Sequence, residues 1–117
     1  MKSAALQIGH ERVQPDVAVV SLAGKVMLGA NASAVGELIA SLLAQGVRKV
    51  VVDLSGVTHI DSTGIGILIA GLGKVTQAGG AMALAGASGA VREGFRVTRL
   101  DRVFRFYTDR AAALGAV

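Results

Sequence analysis

The sequence contains no cysteine, so disulfide bonds, thiolate metal sites and cysteine nucleophiles are all excluded. Proline occurs once, and the 16 glycines follow no collagen-like period, which excludes a fibrous chain. Aromatic residues make up only 3% and tryptophan is absent, although hydrophobic residues reach 52%. The 117 residues therefore predict one domain, residues 1–117, with a core of Ala, Val, Leu and Ile side chains.

Charged residues and long apolar runs are also scarce. Charged residues make up 17% of the chain, and the twelve basic residues behind the net charge of +4 never form a run longer than two. The most apolar stretch, Gly64–Gly73, has ten residues, about half of what a membrane-spanning helix needs. Residues 1–7 lack the sustained apolar segment of a signal peptide. We therefore expect a soluble, cytoplasmic protein without membrane insertion, and its positive charge favours an anionic partner only weakly.

The first part of the chain predicts a β-hairpin followed by a helix. Residues 6–13 and 17–22 are strand-like and flank a turn at Gln14-Pro15-Asp16. From Asn31 to Gln45 the apolar residues recur at helical spacing, with Asn31 or Ser33 as the expected cap of the helix.

The middle of the chain predicts a strand–helix–strand unit. Residues 50–54 form a continuous apolar run, which is typical of a strand covered on both faces. Residues 62–78 return to helical spacing, and Gly79-Gly80 ends that helix before a second buried strand at 81–85. Parallel pairing of the two strands is the expected arrangement for such a unit.

The last third predicts a weaker helix at 88–100, an edge strand at 103–106 and a short terminal helix capped by Asp109. Alternating strands and helices indicate the α/β class, with one open, mostly parallel sheet of 4–5 strands and about four helices. The residues that we expect to be buried lie on the inner faces of these elements: Leu38, Leu42, Val51, Leu54, Ile65, Leu68, Ile69 and Leu84.

Residues that could form an active site are missing. His10 and His59 lie on separate segments without a partner at metal-ligand spacing. The segment Gly71–Thr76 is not a phosphate-binding loop, because Leu68 and Val75 stand where the motif needs Gly and Ser or Thr. We therefore expect no metal, no cofactor and no enzymatic activity, and a small nucleotide-binding or hydrolysing protein is strongly disfavoured.

The most informative segment runs from Thr58 to Gly66. It follows a buried strand and opens the most apolar helix, and binding sites in open α/β sheets collect outside the carboxyl ends of strands. Asp61, Ser62 and Thr63 can each supply an oxygen to the first amides of that helix. We expect Gly64 and Gly66 to leave the first turn bare, so that another chain can approach its backbone. The alternative is purely structural: a helix cap followed by glycines that allow close packing on the sheet.

The segment Val51–Gly66 resembles the STAS domain of bacterial anti-sigma factor antagonists. That family combines an apolar strand ending in Asp-Leu with Asp-Ser-(Ser/Thr)-Gly-apolar-Gly at the start of a helix, here Asp61–Gly66. The resemblance continues through Gly79-Gly80 and the following strand to Val103-Phe104, so it covers nearly the whole chain. It implies a single STAS-like domain over residues 1–117.

The resemblance also implies a signalling role in transcription regulation by partner switching. The unmodified antagonist binds an anti-sigma factor that is also a GHKL-type serine kinase; the kinase phosphorylates the serine after the motif aspartate, here Ser62, and the phosphoprotein is released. A serine phosphatase resets the switch. The implied partner-binding residues follow the motif: Asp61, Ser62, Thr63, Gly64 and Gly66. Direct nucleic-acid contact is not implied, and a homodimer is compatible with the scarcity of surface charge.

One residue departs from the pattern of the family, and one other function competes with the switching antagonist. Many antagonists carry an acidic residue shortly after the second strand, where this chain has Met27 in Gly24-Lys25-Val26-Met27. The competing hypothesis is a scaffold subunit of a stress-signalling or membrane transport complex that does not switch, with Ser62 only a helix cap.

The arginines of the last third leave a choice between a solvated surface and a binding surface. Arg92, Arg96 and Arg99 share one predicted helical face. A solvated face is the leading interpretation, an acidic protein partner comes next, and nucleic acid is disfavoured because stacking aromatics are lacking.

Overall fold

The computed structural model describes residues 6–29 and 31–117. Five strands and four helices follow in the order β1 (Leu6–Gln14), β2 (Val17–Val26), α1 (Ser33–Ala44), β3 (Lys49–Ile60), α2 (Ser62–Gln77), β4 (Ala81–Ala85), α3 (Gly89–Val97), β5 (Phe106–Tyr107) and α4 (Arg110–Ala116). The strands form one sheet in the order β1-β2-β3-β4-β5. β1 and β2 are antiparallel, whereas the other pairings are parallel. The predicted class, strand number and helix number are therefore confirmed.

The two faces of the sheet are covered unequally. One face carries the main core, in which side chains of α1, α2 and α3 pack on alternate residues of the strands, such as Val50 and Val52 of β3. The opposite face carries a smaller cluster, in which Ala113 of α4 packs with Val19, Val51 and Ala83. This division follows from the alternation of side chains along a strand.

β3 is much longer than the predicted strand 50–54. Its first half pairs with both β2 and β4, up to Asp53 opposite Ala85. Its second half pairs only with β2, up to Ile60 opposite Val26. A Cβ atom at Gly56 would lie 2.9 Å from the Cβ of Ala23, so glycine permits this close approach of the strands.

Two boundary predictions in the loops are wrong. Neither Asn31 nor Ser33 caps α1: the N-cap is Ala32, and Asn31 has a φ of 61°. The last strand is Phe106–Tyr107 and not 103–106, because Phe104 is buried edge-on against Phe95 with 5.5 Å between ring centroids. β5 does lie at the sheet edge, and Asp109 does cap α4, accepting a 2.8 Å bond from the amide of Ala112.

Most of the predicted core is confirmed. Leu42, Val51, Leu54, Ile65, Leu68 and Leu84 are buried. Leu38 and Ile69 are only half-buried, since each lies at the margin of a helix face and packs against the core from its edge. Within residues 6–29 and 31–117, no helix combines the length and the apolar character that crossing a bilayer requires.

Candidate functional site

The start of α2 lies at the tip of a two-stranded extension of the sheet. Beyond Asp53, β3 continues for seven residues beside β2 alone and ends at Ile60. Asp61 then adopts an extended conformation, and Ser62 is the first residue of α2, as the sequence predicted. The extension therefore carries the first turn of α2 to the carboxyl edge of the strands, where binding sites of open α/β sheets collect.

Asp61 binds two separate segments through its carboxylate. Its Oδ1 accepts a 2.9 Å hydrogen bond from the amide of Gly64 and so caps α2. Its Oδ2 accepts a 3.0 Å bond from the amide of Leu28, which lies in the loop between β2 and α1. One side chain thus fixes that loop against the first turn of α2.

The two amide bonds also set the charge of Asp61. The bond from Leu28 lowers the pKa of the carboxyl most, the bond from Gly64 lowers it further, and partial desolvation opposes both without reversing them. Asp61 is therefore ionised at neutral pH, and its negative charge lies at the positive end of the α2 dipole.

Ser62 and Thr63 differ in exposure. Ser62 is exposed, and the capping hydrogen bond at this end of α2 comes from Asp61, so the structure does not use Ser62 as the cap. Thr63 is partly buried and lines a cavity of about 290 Å³ between α2 and the β2–α1 loop. The site therefore combines an exposed hydroxyl with an adjoining hollow.

The two motif glycines have different roles, and the expectation of a bare turn is wrong for Gly64. Gly64 is buried, and a Cβ atom there would overlap the carbonyl oxygen of Val26 and lie 2.9 Å from Cγ1 of Ile60. Glycine is therefore needed at this position so that α2 can pack on β2 within the chain. Gly66 is exposed, and a Cβ atom there would meet nothing within 4 Å, so this position does leave the helix surface bare.

The cavity beside Thr63 is lined in part by Leu28, a residue that the sequence analysis did not single out. Its walls include Met27 and Leu28 from the loop and Ile67 from α2, and uncharged side chains complete the lining: Asn31, Ala32 and Ser33. Leu28 is 79% exposed although it is a large apolar residue. The available signal in the sequence is Leu28, a large apolar residue directly after Met27, and Met27 stands where many antagonists of the resembled family carry an acid. The hollow is accordingly uncharged at this place.

The histidines and a further polar cluster lie outside α2. His59 contacts its neighbour Thr58 at 2.9 Å, while His10 lies on β1. Among residues 6–29 and 31–117, no three His, Cys, Asp or Glu side chains are grouped so that they could hold a metal ion. The polar cluster of Arg110, Asp53 and Ser21 joins α4 to the sheet.

Comparisons with known proteins agree with this architecture. The model of the STAS domain family matches residues 11–113. A candidate anti-sigma factor antagonist of Thermotoga neapolitana, named as a TM1081 homologue, is 33% identical over 75 residues, which are 64% of this chain and 66% of the relative. That match spans just under two thirds of the relative's length.

Two solved structures are similar over almost their full length. An anti-sigma factor antagonist from Mycobacterium paratuberculosis superposes with a TM-score of 0.84 at 28% identity, covering 99% of this chain and 97% of that one. A candidate antagonist from Thermotoga maritima, tm1081, also gives a TM-score of 0.84, at 25% identity, covering 94% and 93%.

Proposed function

Since the chain belongs to the STAS domain family, we propose that it is an anti-sigma factor antagonist that works by phosphorylation-controlled partner switching. In its unmodified form it binds an anti-sigma factor that is also a GHKL-type serine kinase. The kinase phosphorylates Ser62, the complex dissociates, and a serine phosphatase restores the unmodified form. The protein is then a substrate and a switch rather than an enzyme. The observation that carries the proposal is the exposed Ser62 at the first position of α2.

The position of Ser62 suits a modification that changes charge without unfolding the domain. Asp61 supplies the cap, so transfer of a phosphoryl group to the Ser62 hydroxyl removes no capping bond. A phosphate brings about −1.5 to −2 charge units and strong acceptor oxygens. The amides and dipole at the start of α2 tolerate such an anion within the domain.

The partner surface in this proposal is the uncharged hollow next to Ser62. Leu28, 79% exposed, and Ile67 offer apolar contact, and Thr63, which directly follows Ser62 in the chain, lines the same hollow. The bond from the Leu28 amide to Asp61 holds the loop in place before binding, so less conformational entropy is lost on docking. A partner that covers this hollow removes water from around Ser62.

Phosphorylation then weakens binding for two physical reasons. A phosphate beside an apolar contact must lose water on docking, and that is costly without a compensating charge. Asp61 is already ionised next to it, so an acidic partner group would face two negative charges. At about 5 Å and an effective dielectric near 20, two like unit charges repel each other by about 3 kcal/mol. This free energy corresponds to a loss of about a hundredfold or more in affinity.

The first test is whether the modification occurs. The protein is purified from its host and analysed by mass spectrometry, and we expect phosphate on Ser62. The matched control is Ser88, which is also exposed at the start of a helix but lies outside the motif. Phosphate on Ser88 with none on Ser62, or none under any growth condition, would contradict the proposal and favour the scaffold that does not switch.

A further inference from the structure

The region around β5 carries cationic side chains of one type. Every cationic residue after Lys74 is an arginine. Arg96 pairs with Glu93, and Arg110 pairs with Asp53, so these two serve the fold. Arg92 and Arg105 are exposed on either side of β5. Arginine is favoured over lysine at protein interfaces, because its planar guanidinium binds carboxylates through two parallel hydrogen bonds.

Two hollows adjoin β5 and share Tyr107. One of about 310 Å³ is lined by Arg92, Phe106, Tyr107 and Thr108. The other, of about 260 Å³, includes Val103, Arg105 and Tyr107 in its lining. We call the surface formed by Arg92, Val103, Arg105 and Tyr107 the β5 surface. Tyr107 lines both hollows, so they meet at the edge strand, and none of these four residues belongs to the Ser62 site.

The β5 surface is rigid and partly apolar. The guanidinium of Arg92 lies over the ring of Phe106, 3.7 Å from its centroid. That ring packs edge-on against Phe95 with 5.2 Å between centroids, so the platform under Arg92 is part of the core. Val103 remains 45% exposed and Val97, at the end of α3, 62% exposed. Because Arg92 is already held in place, less entropy is lost when it binds a partner, and the exposed Val103 adds apolar contact.

We propose that the β5 surface binds an acidic, partly apolar segment of a protein, separately from the Ser62 site. Carboxylates of the segment pair with Arg92 and Arg105, and an apolar side chain between them packs on Val103. Single-stranded nucleic acid fits less well, since it needs several exposed aromatic rings for stacking, whereas the ring of Phe106 is covered by Arg92 and Tyr107 is only half-exposed. Exposed valines likewise favour a protein.

The test uses the full chain labelled with ¹⁵N and a short synthetic peptide in which glutamate alternates with valine. We expect amide shift changes centred on Arg92, Val103, Arg105 and Tyr107. Arg105→Glu should weaken binding about tenfold, because reversing a charge replaces an attraction with a repulsion. The matched control is Lys74→Glu, which makes the same charge change on the exposed side of α2 and should stay within about twofold.

Additional variants and ligands separate the alternatives. Arg92→Gln removes one positive charge without reversing it, and melting curves check that each variant folds. Ser62→Ala should bind the peptide as the unaltered chain does, so failure of the Ser62 switch leaves this test intact. Shift changes elsewhere, equal binding of polyglutamate without valine, or tighter binding of a single-stranded DNA oligonucleotide to the same residues would each overturn the proposal. An unchanged affinity for the peptide in both Arg92→Gln and Arg105→Glu would also overturn the proposal.

Discussion

At Gly64 a single hydrogen atom in place of a methyl group allows α2 to pack on β2. Gly64→Ala should destabilise the protein by about 2 kcal/mol or more, because the new methyl group overlaps the backbone of Val26. Gly66→Ala, two residues later, should stabilise it by about 0.5–1 kcal/mol, since its methyl group meets nothing and alanine favours the helix. Urea denaturation measures both. Equal changes in the free energy of unfolding for the two substitutions would show that α2 does not approach β2 closely at Gly64.

Asp61 should make stability depend on pH in a defined direction. Its folded pKa lies below the ordinary value of 3.8, so its contribution is present above about pH 4 and is lost as the pH falls through the folded pKa. Asp61→Asn keeps a capping side chain without the charge. We therefore expect the stability difference between the two proteins to be largest near neutral pH and to shrink below pH 4. A difference that grows on acidification would contradict this account of Asp61.

The sequence predicts only part of this site. The change of period at Asp61 locates the start of α2 correctly, since helix starts depend on local spacing and capping. The bond between Asp61 and Leu28 joins residues 33 positions apart, and it depends on how β2 and β3 pair. Local patterns contain no information on such a contact, and they leave open whether Gly64 packs on the sheet or leaves the first turn bare.

At the scale of elements, prediction from the sequence works best where the residues of a strand or helix themselves carry the pattern that defines it. β4 is predicted to the residue and α2 to within one residue, because buried apolar runs and helical spacing define them. β3 extends past Leu54 because β2 continues beside it, which no pattern within β3 reveals. β5 is displaced because burial of Phe104 outweighs the alternating pattern of residues 103–106.

The neighbours Leu68 and Ile69 test which face of α2 is buried. Leu68 is fully buried, so Leu68→Ala should cost about 2–5 kcal/mol. Ile69 is half-buried one residue further round the helix, so Ile69→Ala should cost roughly half as much or less. Denaturant titration of the two variants gives the comparison. A larger loss at Ile69 would mean that α2 is rotated relative to the sheet.

At the scale of the molecule, the two faces of the sheet should differ in stability. α4 covers the smaller cluster, and Arg110 links it to β3 through a 3.0 Å ion pair with Asp53. Desolvation raises the pKa of Asp53, but hydrogen bonds from Ser55 and Arg110 outweigh it and lower the pKa overall. This pair therefore contributes above about pH 4 and weakens as the pH falls further.

Arg110→Ala should loosen α4 and leave the larger face intact. We expect a stability loss of about 1–2 kcal/mol, discounted because the Arg110 side chain is 40% exposed. Hydrogen exchange should accelerate over residues 110–116 while β3 and β4 keep their protection. The control is Arg102→Ala, an exposed arginine outside the helices. Faster exchange throughout β3 would show that α4 is essential to the whole fold.

In the proposed switch, the charge on Ser62 decides whether the partner stays bound. Titration calorimetry with the anti-sigma factor kinase proposed as the partner compares the unmodified protein, Ser62→Ala and the Ser62-phosphorylated protein. We expect similar affinities for the first two, because a methyl group adds no charge beside Leu28 and Asp61. For the phosphorylated form we expect a loss of about a hundredfold or more in affinity. Equal affinity of the phosphorylated and unmodified proteins would contradict the switch.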